Sequence, residues 1–142
     1  MQSTTLGHKL SAIGSYAFQG CSSLEAIDIP DIFTASNDYT FEGCSSLKEV
    51  KLGSQLKTIN QGAFNGCSAL PSITIPSAVT NIYSGVFYGC TRLKTMNIAD
   101  SESSLTLGSN ADSPIFSSCP LDYVYIGRDI SYSTNSSTGY SP

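Results

Sequence analysis

The sequence Ile59-Asn60-Gln61-Gly62-Ala63-Phe64-Asn65-Gly66-Cys67-Ser68-Ala69-Leu70 recurs with small changes in this chain of 142 residues, four copies in all. Equivalent residues of the copies stand 23 positions apart: Phe18, Phe41, Phe64 and Phe87; Gly20, Gly43, Gly66 and Gly89; Cys21, Cys44, Cys67 and Cys90; Leu24, Leu47, Leu70 and Leu93. A fixed period of about 20–50 residues is the signature of an architecture in which each repeat packs on its neighbours. The sequence therefore predicts a solenoid.

The amino-acid composition limits the kinds of binding partner that we expect for this chain. Only 13% of the residues are charged, against about 25% in an average globular protein, and the net charge is −4. Such a surface does not attract phosphate groups, so we expect no nucleic-acid partner. No apolar run reaches the length of about 18 residues that a membrane helix needs, so the sequence predicts no membrane span in this segment.

We interpret residues 1–142 as one array of about five repeats. Both ends fall inside a repeat, so we expect them to be cuts through a longer array. Residues 128–142 contain few apolar side chains and are predicted to be a partial, poorly ordered repeat.

Two repeats depart from the pattern. The second has Ser36 where the others have isoleucine, and we expect a looser convex edge there. In the fifth, Phe116 follows Phe87 after 29 residues, six more than the period. The extra residues between Asp100 and Pro114 are expected to bulge as a loop on one face.

Each repeat contains a predicted strand with alternating apolar residues, such as Leu70, Ile73 and Ile75 in the third repeat. Pro30 ends the first of these strands, because proline has no N–H for a continuing ladder. The glycine between phenylalanine and cysteine predicts a tight bend with positive φ. Identical residues of successive turns are expected to stack, phenylalanine on phenylalanine and cysteine on cysteine.

The cysteines occupy one position in each repeat: Cys21, Cys44, Cys67, Cys90 and Cys119. An odd number at one position per turn does not indicate a disulfide framework. No CxxC pair occurs and His8 is the single histidine, so the pattern does not indicate a zinc site. We interpret these residues as small apolar side chains with a weak S–H donor. Disulfides between turns, or a reactive thiol, are the alternatives.

The motifs Leu70-Pro71-Ser72-Ile73-Thr74-Ile75-Pro76 and Ala63-Phe64-Asn65-Gly66-Cys67 resemble the BspA-like, or Treponema pallidum type, branch of the leucine-rich repeat superfamily. The fifth repeat departs from that pattern, because Ser118 replaces the glycine and Pro120 shortens the turn. The resemblance implies a right-handed solenoid, mainly β, with a parallel concave sheet and short helical turns or short strands on the convex side. It also implies a surface or secreted bacterial protein, in some members an adhesin that binds host matrix proteins or partner bacteria.

Two columns of residues are predicted to point out of the concave sheet, because side chains alternate along a strand. They are Ala26, Glu49, Ser72, Thr95 and Tyr123 in the first column, and Asp28, Lys51, Thr74, Asn97 and Tyr125 in the second. From these positions we select as candidate protein-binding residues Lys51, Thr74, Asn97, Tyr123 and Tyr125, with Arg128 just beyond the last strand. Tyrosine and arginine are enriched in binding hot spots. The alternative is that Tyr123 and Tyr125 are simply β-formers that cover a following turn.

Other residues give weaker signals. Asp28, Asp31 and Asp38 do not have the spacing of a calcium loop and are interpreted as a solvated acidic patch. His8 is interpreted as an exposed, non-catalytic residue. No glycine-rich phosphate loop follows a strand, so the sequence predicts no enzyme, no cofactor and no metal.

We therefore expect a non-enzymatic module that binds a protein ligand of unknown identity through its concave sheet. The alternative is a structural spacer with no ligand of its own. In either case, the apolar rungs at the open ends, near Leu6 and Ile126, predict end-to-end self-association.

Overall fold

The computed structural model describes residues 2–7, 9–109 and 114–134, without the side chains of residues 109, 133 and 134. These residues form ten short strands and no helix. The strands are β1 (Ser3–Thr5), β2 (Ala26–Asp28), β3 (Glu49–Lys51), β4 (Thr58–Ile59), β5 (Ser72–Ile75), β6 (Asn81–Ile82), β7 (Thr95–Ile98), β8 (Leu105–Ser109), β9 (Tyr123–Ile126) and β10 (Ile130–Thr134).

Every strand pair in the described part is parallel, and strands of successive turns pair with each other. We call β1, β2, β3, β5, β7 and β9 the concave sheet, although it consists of two three-stranded parts, β1-β2-β3 and β5-β7-β9. The convex sheet has the order β4-β6-β8-β10. The predicted parallel-sheet solenoid is confirmed, with short strands on the convex side.

A ladder of phenylalanine rings runs through the core. The ring centroids of Phe18, Phe41, Phe64, Phe87 and Phe116 lie 5.3, 5.4, 6.1 and 6.1 Å apart in succession, with nearly parallel planes. The middle three rings are almost inaccessible to solvent. The predicted stacking of identical residues is therefore confirmed, and the repeats form one continuous core.

The predicted left-handed bends are present. Gly20, Gly43, Gly66 and Gly89 have φ between 70° and 72°. Ser118 takes the same bend in the fifth turn with φ 65°, so this side chain tolerates a conformation that costs an L-residue about 1–2 kcal/mol.

The cysteines form a second ladder beside the rings. Four of the five thiols donate to the carbonyl oxygen of the phenylalanine one turn earlier: Cys44 to Phe18 at 3.2 Å, Cys67 to Phe41 at 3.3 Å, Cys90 to Phe64 at 3.2 Å and Cys119 to Phe87 at 2.9 Å. All five are free thiols. Burial raises the pKa of Cys44 to about 11, so this thiol is not reactive at neutral pH. Cys21 is exposed, unlike the three buried cysteines that follow it.

Two features differ from the sequence-based expectations or were missed. The concave sheet begins one strand earlier than expected, because β1 pairs with β2. The six extra residues of the fifth turn lie in two separate places. Ile82 pairs with Leu107, two residues beyond the regular step of 23, so the other four extra residues lie between Leu107 and Phe116. The predicted bulge lies partly outside the described residues.

The last described turn contains a convex strand. Residues 130–134 form β10, which pairs with β8 along its whole length. The expectation of a partial, poorly ordered repeat at residues 128–142 stays a prediction, and residues 135–142 lie outside the described part. In the second turn, an isolated bridge between Ala35 and Thr58 stands in place of a convex strand.

Candidate functional site

The register of the concave sheet aligns the predicted outward residues in columns. Ser3, Ala26 and Glu49 are partners across β1-β2-β3, as are Thr5, Asp28 and Lys51. Across β5-β7-β9 the partners are Ser72, Thr95 and Tyr123 in one column and Thr74, Asn97 and Tyr125 in the other. Sequence reasoning missed Ser3 and Thr5, which the period of 23 would have placed in these columns.

The N-terminal half of this surface is charged. Lys51 Nζ lies 3.5 Å from the Asp28 carboxylate, and Lys48 Nζ lies 3.3 Å from the Glu25 carboxylate. Each pair joins neighbouring turns across the sheet. The side chain of Lys51 is 74% exposed, so its pair contributes little to stability and leaves the ammonium group accessible to a partner.

The C-terminal half of the surface is neutral along both columns. It presents the hydroxyl groups of Ser72, Thr74 and Thr95 and the amide of Asn97, all four residues exposed. Uncharged polar groups are desolvated at lower cost than charges when a partner covers them. Thr74 and Asn97 therefore lie where the sequence predicted them, on an accessible surface.

Two tyrosines end this neutral half. Tyr123 and Tyr125 are 60% and 44% exposed and lie on the same strand, β9. The Tyr125 hydroxyl donates to Asp100 Oδ1 at 2.8 Å, and this hydrogen bond raises the pKa of Tyr125. Both rings continue the outward columns, so they lie on the same face as Thr95 and Asn97.

Arg128 does not lie on this surface. Its side chain is buried, and its guanidinium donates to the carbonyl oxygens of Pro76 at 2.7 Å, Ser77 at 3.1 Å, Val79 at 2.5 Å and Ala99 at 3.0 Å. Burial lowers its pKa. Its donors are used within the protein, so we do not retain Arg128 as a candidate binding residue.

The concave sheet is interrupted between β3 and β5. Residues 48–52 and 71–76 are all described, and β3 and β5 are not paired with each other. A cleft of about 420 Å³ opens at this step, lined in part by Lys48, Val50, Ser72 and Ile73. Sequence reasoning missed this interruption.

The described residues contain no group of three or more side chains suited to hold a metal ion. In the acidic patch, Asp31 accepts a hydrogen bond from the Ser54 backbone N–H at 2.7 Å, and this bond lowers the pKa of its carboxyl group. His8 lies outside the described residues. In the part of the chain that the structure covers, no helix has the length and apolarity needed to cross a bilayer.

Solved structures with the same architecture come from bacteria. The chain is similar to a leucine-rich cell surface protein of Faecalibacterium prausnitzii, with 26% identity and a TM-score of 0.75 over 95% of this chain. It spans about a third, 33%, of that protein's length. A leucine-rich repeat protein of Bacteroides capillosus is 28% identical over 66% of this chain and 74% of its own, with a TM-score of 0.61. The T. pallidum leucine-rich repeat protein shares the fold at 21% identity and a TM-score of 0.71, over 92% of this chain and 72% of its own.

No curated protein sequence is significantly similar to the chain. The family model of the BspA type leucine-rich repeat region matches residues 1–119 with six copies. This match covers most of the chain. The chain therefore belongs to the BspA-type leucine-rich repeat family.

Proposed function

We propose that this chain is a non-enzymatic protein-interaction module of a bacterial surface protein. The observation that carries the proposal is the neutral half of the concave sheet, which ends in two exposed tyrosines, Tyr123 and Tyr125. Tyrosine supplies a large, rigid contact area with a hydroxyl group for hydrogen bonding, and loses little conformational entropy when it is covered. The surface location comes from the F. prausnitzii relative, which is named as a cell surface protein.

The ligand is proposed to be a protein on a host or partner cell, so that the module contributes to adhesion. A protein ligand fits the extended, weakly charged sheet face better than a small molecule does, because small-molecule sites are enclosed and largely apolar. Thr74 and Asn97 would supply hydrogen bonds, and Lys51 would contact the ligand at the edge of the charged half.

The proposal is tested with the chain immobilised as bait for biotinylated surface proteins of candidate host or bacterial cells. The substitutions Tyr123→Ala and Tyr125→Ala should each reduce capture at least about tenfold, as expected for hot-spot residues. The thermal midpoint should change little, because both rings are exposed. Tyr88→Ala is the matched control, since Tyr88 is 41% exposed and lies on the turn side of the solenoid rather than on the concave sheet.

A spacer without a ligand predicts a different outcome. Capture would then be absent, or it would fall equally in the Tyr88→Ala control. Either result would contradict binding through the concave tyrosines.

We also propose that the chain associates end to end. On β9, Val124 and Ile126 are 40% and 55% exposed, whereas their column neighbours Met96 and Ile98 on β7 are 1% and 4% exposed. A second copy whose β1 pairs with β9 would cover these side chains and continue the parallel ladder.

A further inference from the structure

We propose that the concave sheet has a joint, that is, a flexible connection between two successive turns. It lies at the step from β3 to β5. At this step β1-β2-β3 and β5-β7-β9 move as two blocks, while the turns on the other side of the solenoid hold them together. The observation behind the proposal is the interruption of the ladder at one step, in an array whose neighbouring steps are regularly paired.

Pro71 accounts for the interruption. At the start of each concave strand, one backbone N–H reaches the preceding turn: Lys48 donates to Glu25 O at 2.8 Å, Lys94 to Pro71 O at 3.0 Å and Asp122 to Lys94 O at 2.9 Å. The equivalent donor toward Lys48 O would be residue 71. Pro71 has no N–H, and its ring carbon takes the place of the hydrogen, so the Lys48 carbonyl cannot approach to hydrogen-bonding distance.

The same loss occurs at the other end of β5. After β7, the N–H of Ala99 donates to Ile75 O at 3.0 Å, and after β9 the N–H of Gly127 donates to Ile98 O at 2.9 Å. Residue 76 is the equivalent position for a bond to Leu52 O, and Pro76 cannot make it. Pro30 occupies the same position in the first turn, however, and β2 still pairs with β1 there. The loss at Pro71 is therefore the one that distinguishes this step from its paired neighbours.

Side-chain burial agrees with this opening. Val50 occupies an inward position of β3 but is only half-buried, whereas its counterparts Ile27, Ile73 and Met96 are 2%, 4% and 1% exposed. The cleft between β3 and β5 therefore reaches the edge of the core.

The opposite side of the same step stays closed. The backbone N–H groups of Tyr39, Phe41 and Gly43 donate to the carbonyl oxygens of Gln61, Ala63 and Asn65 at 2.8, 2.9 and 2.7 Å. The rings of Phe41 and Phe64 stack at 5.4 Å, as closely as those of Phe18 and Phe41. One side of the step is bonded and the other is not, which is the arrangement of a hinge.

Amide hydrogen exchange tests the joint in the free protein. By analogy with the paired steps, the amides of Val50, Leu52, Ser72 and Thr74 face the gap, and we expect them to exchange at least about tenfold faster than those of Thr95 and Asn97 in the paired β5–β7 step. The double substitution P71K/P76A copies the flanks of β7, Lys94 and Ala99. It should restore pairing and slow exchange at the four amides by at least about tenfold.

The reverse substitution is the matched control. K94P/A99P should transfer the unprotected amides to the β5–β7 step and leave those between β2 and β3 unchanged. Should this variant fail to fold, P71K/P76A still decides the question. Fast exchange that persists in a folded P71K/P76A variant, or wild-type amides at the gap that are as protected as those of β7, would overturn the proposal.

Movement of the two blocks needs its own measurement. Spin labels attached through ketone amino acids at exposed positions 28 and 97 lie on opposite sides of the gap. The distance distribution between them should be broad in the wild-type sequence and narrower in P71K/P76A. Equal widths in the two proteins would show a static gap and would contradict a joint.

The joint needs no ligand. It divides the charged half of the concave surface from the neutral half, so a ligand that spans both halves would set the angle between them. That consequence rests on the proposed function, whereas the exchange and distance measurements on free protein test the joint alone.

Discussion

At the scale of residues, one column of equivalent positions shows how a tyrosine ring packs over a glycine of the next turn. Tyr16, Tyr39, Gly62 and Gly85 occupy equivalent positions in four turns, and all have φ between 53° and 68°. The rings of Tyr16 and Tyr39 stack at 5.3 Å. The ring of Tyr39 covers Gly62 so closely that a Cβ there would lie 2.3 Å from its carbon atoms. The ring above Gly62 therefore requires glycine there, and glycine also adopts the positive φ without the strain that the two tyrosines carry.

We expect Gly62→Ala to lower the free energy of unfolding by roughly 2–4 kcal/mol, because it adds a steric clash to an unfavourable φ. Gly20→Ala isolates the backbone part: Gly20 has φ 70° but no neighbouring atom within 4 Å, and the expected loss is about 1–2 kcal/mol. Gly14→Ala is the control, since Gly14 has no close neighbour and no positive φ. It should be neutral or slightly stabilising.

Chemical denaturation of the three variants measures these losses. Equal losses for Gly62→Ala and Gly20→Ala would show that the Tyr39 ring moves aside without cost, and would contradict the steric part of the explanation.

At the scale of elements, Arg128 links turns that lie far apart in sequence. It follows β9, yet its guanidinium bonds the turn after β5 at Pro76, Ser77 and Val79 and the end of β7 at Ala99. None of the described carboxylates forms an ion pair with it. A planar guanidinium can reach several carbonyl oxygens at once, which a lysine ammonium cannot do with the same geometry.

We expect Arg128→Met to destabilise the fold by about 2–3 kcal/mol, because four carbonyl oxygens lose a charged donor in a buried site. Arg128→Lys should recover part of this loss, since one ammonium can satisfy some of the oxygens. Thermal or urea unfolding measures the difference.

Lys94→Met is the control for the removal of a cation. Its ammonium group lies 4.0 Å from the Asp122 carboxylate and its side chain is 64% exposed, so the expected change is below about 1 kcal/mol. A loss at Arg128 no larger than that at Lys94 would contradict a structural role for the buried guanidinium.

At the scale of the whole molecule, stability comes from contacts between neighbouring turns, so the turns at the two ends differ from those in the middle. The middle rings of the phenylalanine ladder are buried, whereas Phe18 and Phe116 at its ends are only partly buried. Cys21 and Cys119 are likewise more accessible than the three cysteines between them.

We expect the 142-residue chain to form larger species as its concentration rises, because contact between copies would cover Val124 and Ile126. Light scattering over a concentration series measures this. Ile126→Glu should shift the series toward monomer, while Tyr88→Glu, on the turn side, should leave it unchanged. A wild-type chain that stays monomeric at the highest concentration would contradict end-to-end association.

Much of the fold followed from local spacing. The period of 23 predicted the stacked phenylalanines, the left-handed glycines and the outward columns that contain Lys51, Thr74, Asn97, Tyr123 and Tyr125. These features could be predicted because neighbouring turns pack on copies of themselves, so a single repeat contains the contacts of the whole array.

Only the tertiary structure revealed the features that depend on contacts between non-equivalent residues of different turns. The burial of Arg128 depends on carbonyl oxygens about 30 and 50 positions earlier in the chain, which no pattern within one repeat reveals. The break beside β5 depends on Pro71 facing β3, where the neighbouring turns have residues with an N–H. The sequence by itself determined the repeating ladder, because identical contacts recur at a fixed step; the joint and the buried arginine came from contacts that occur once.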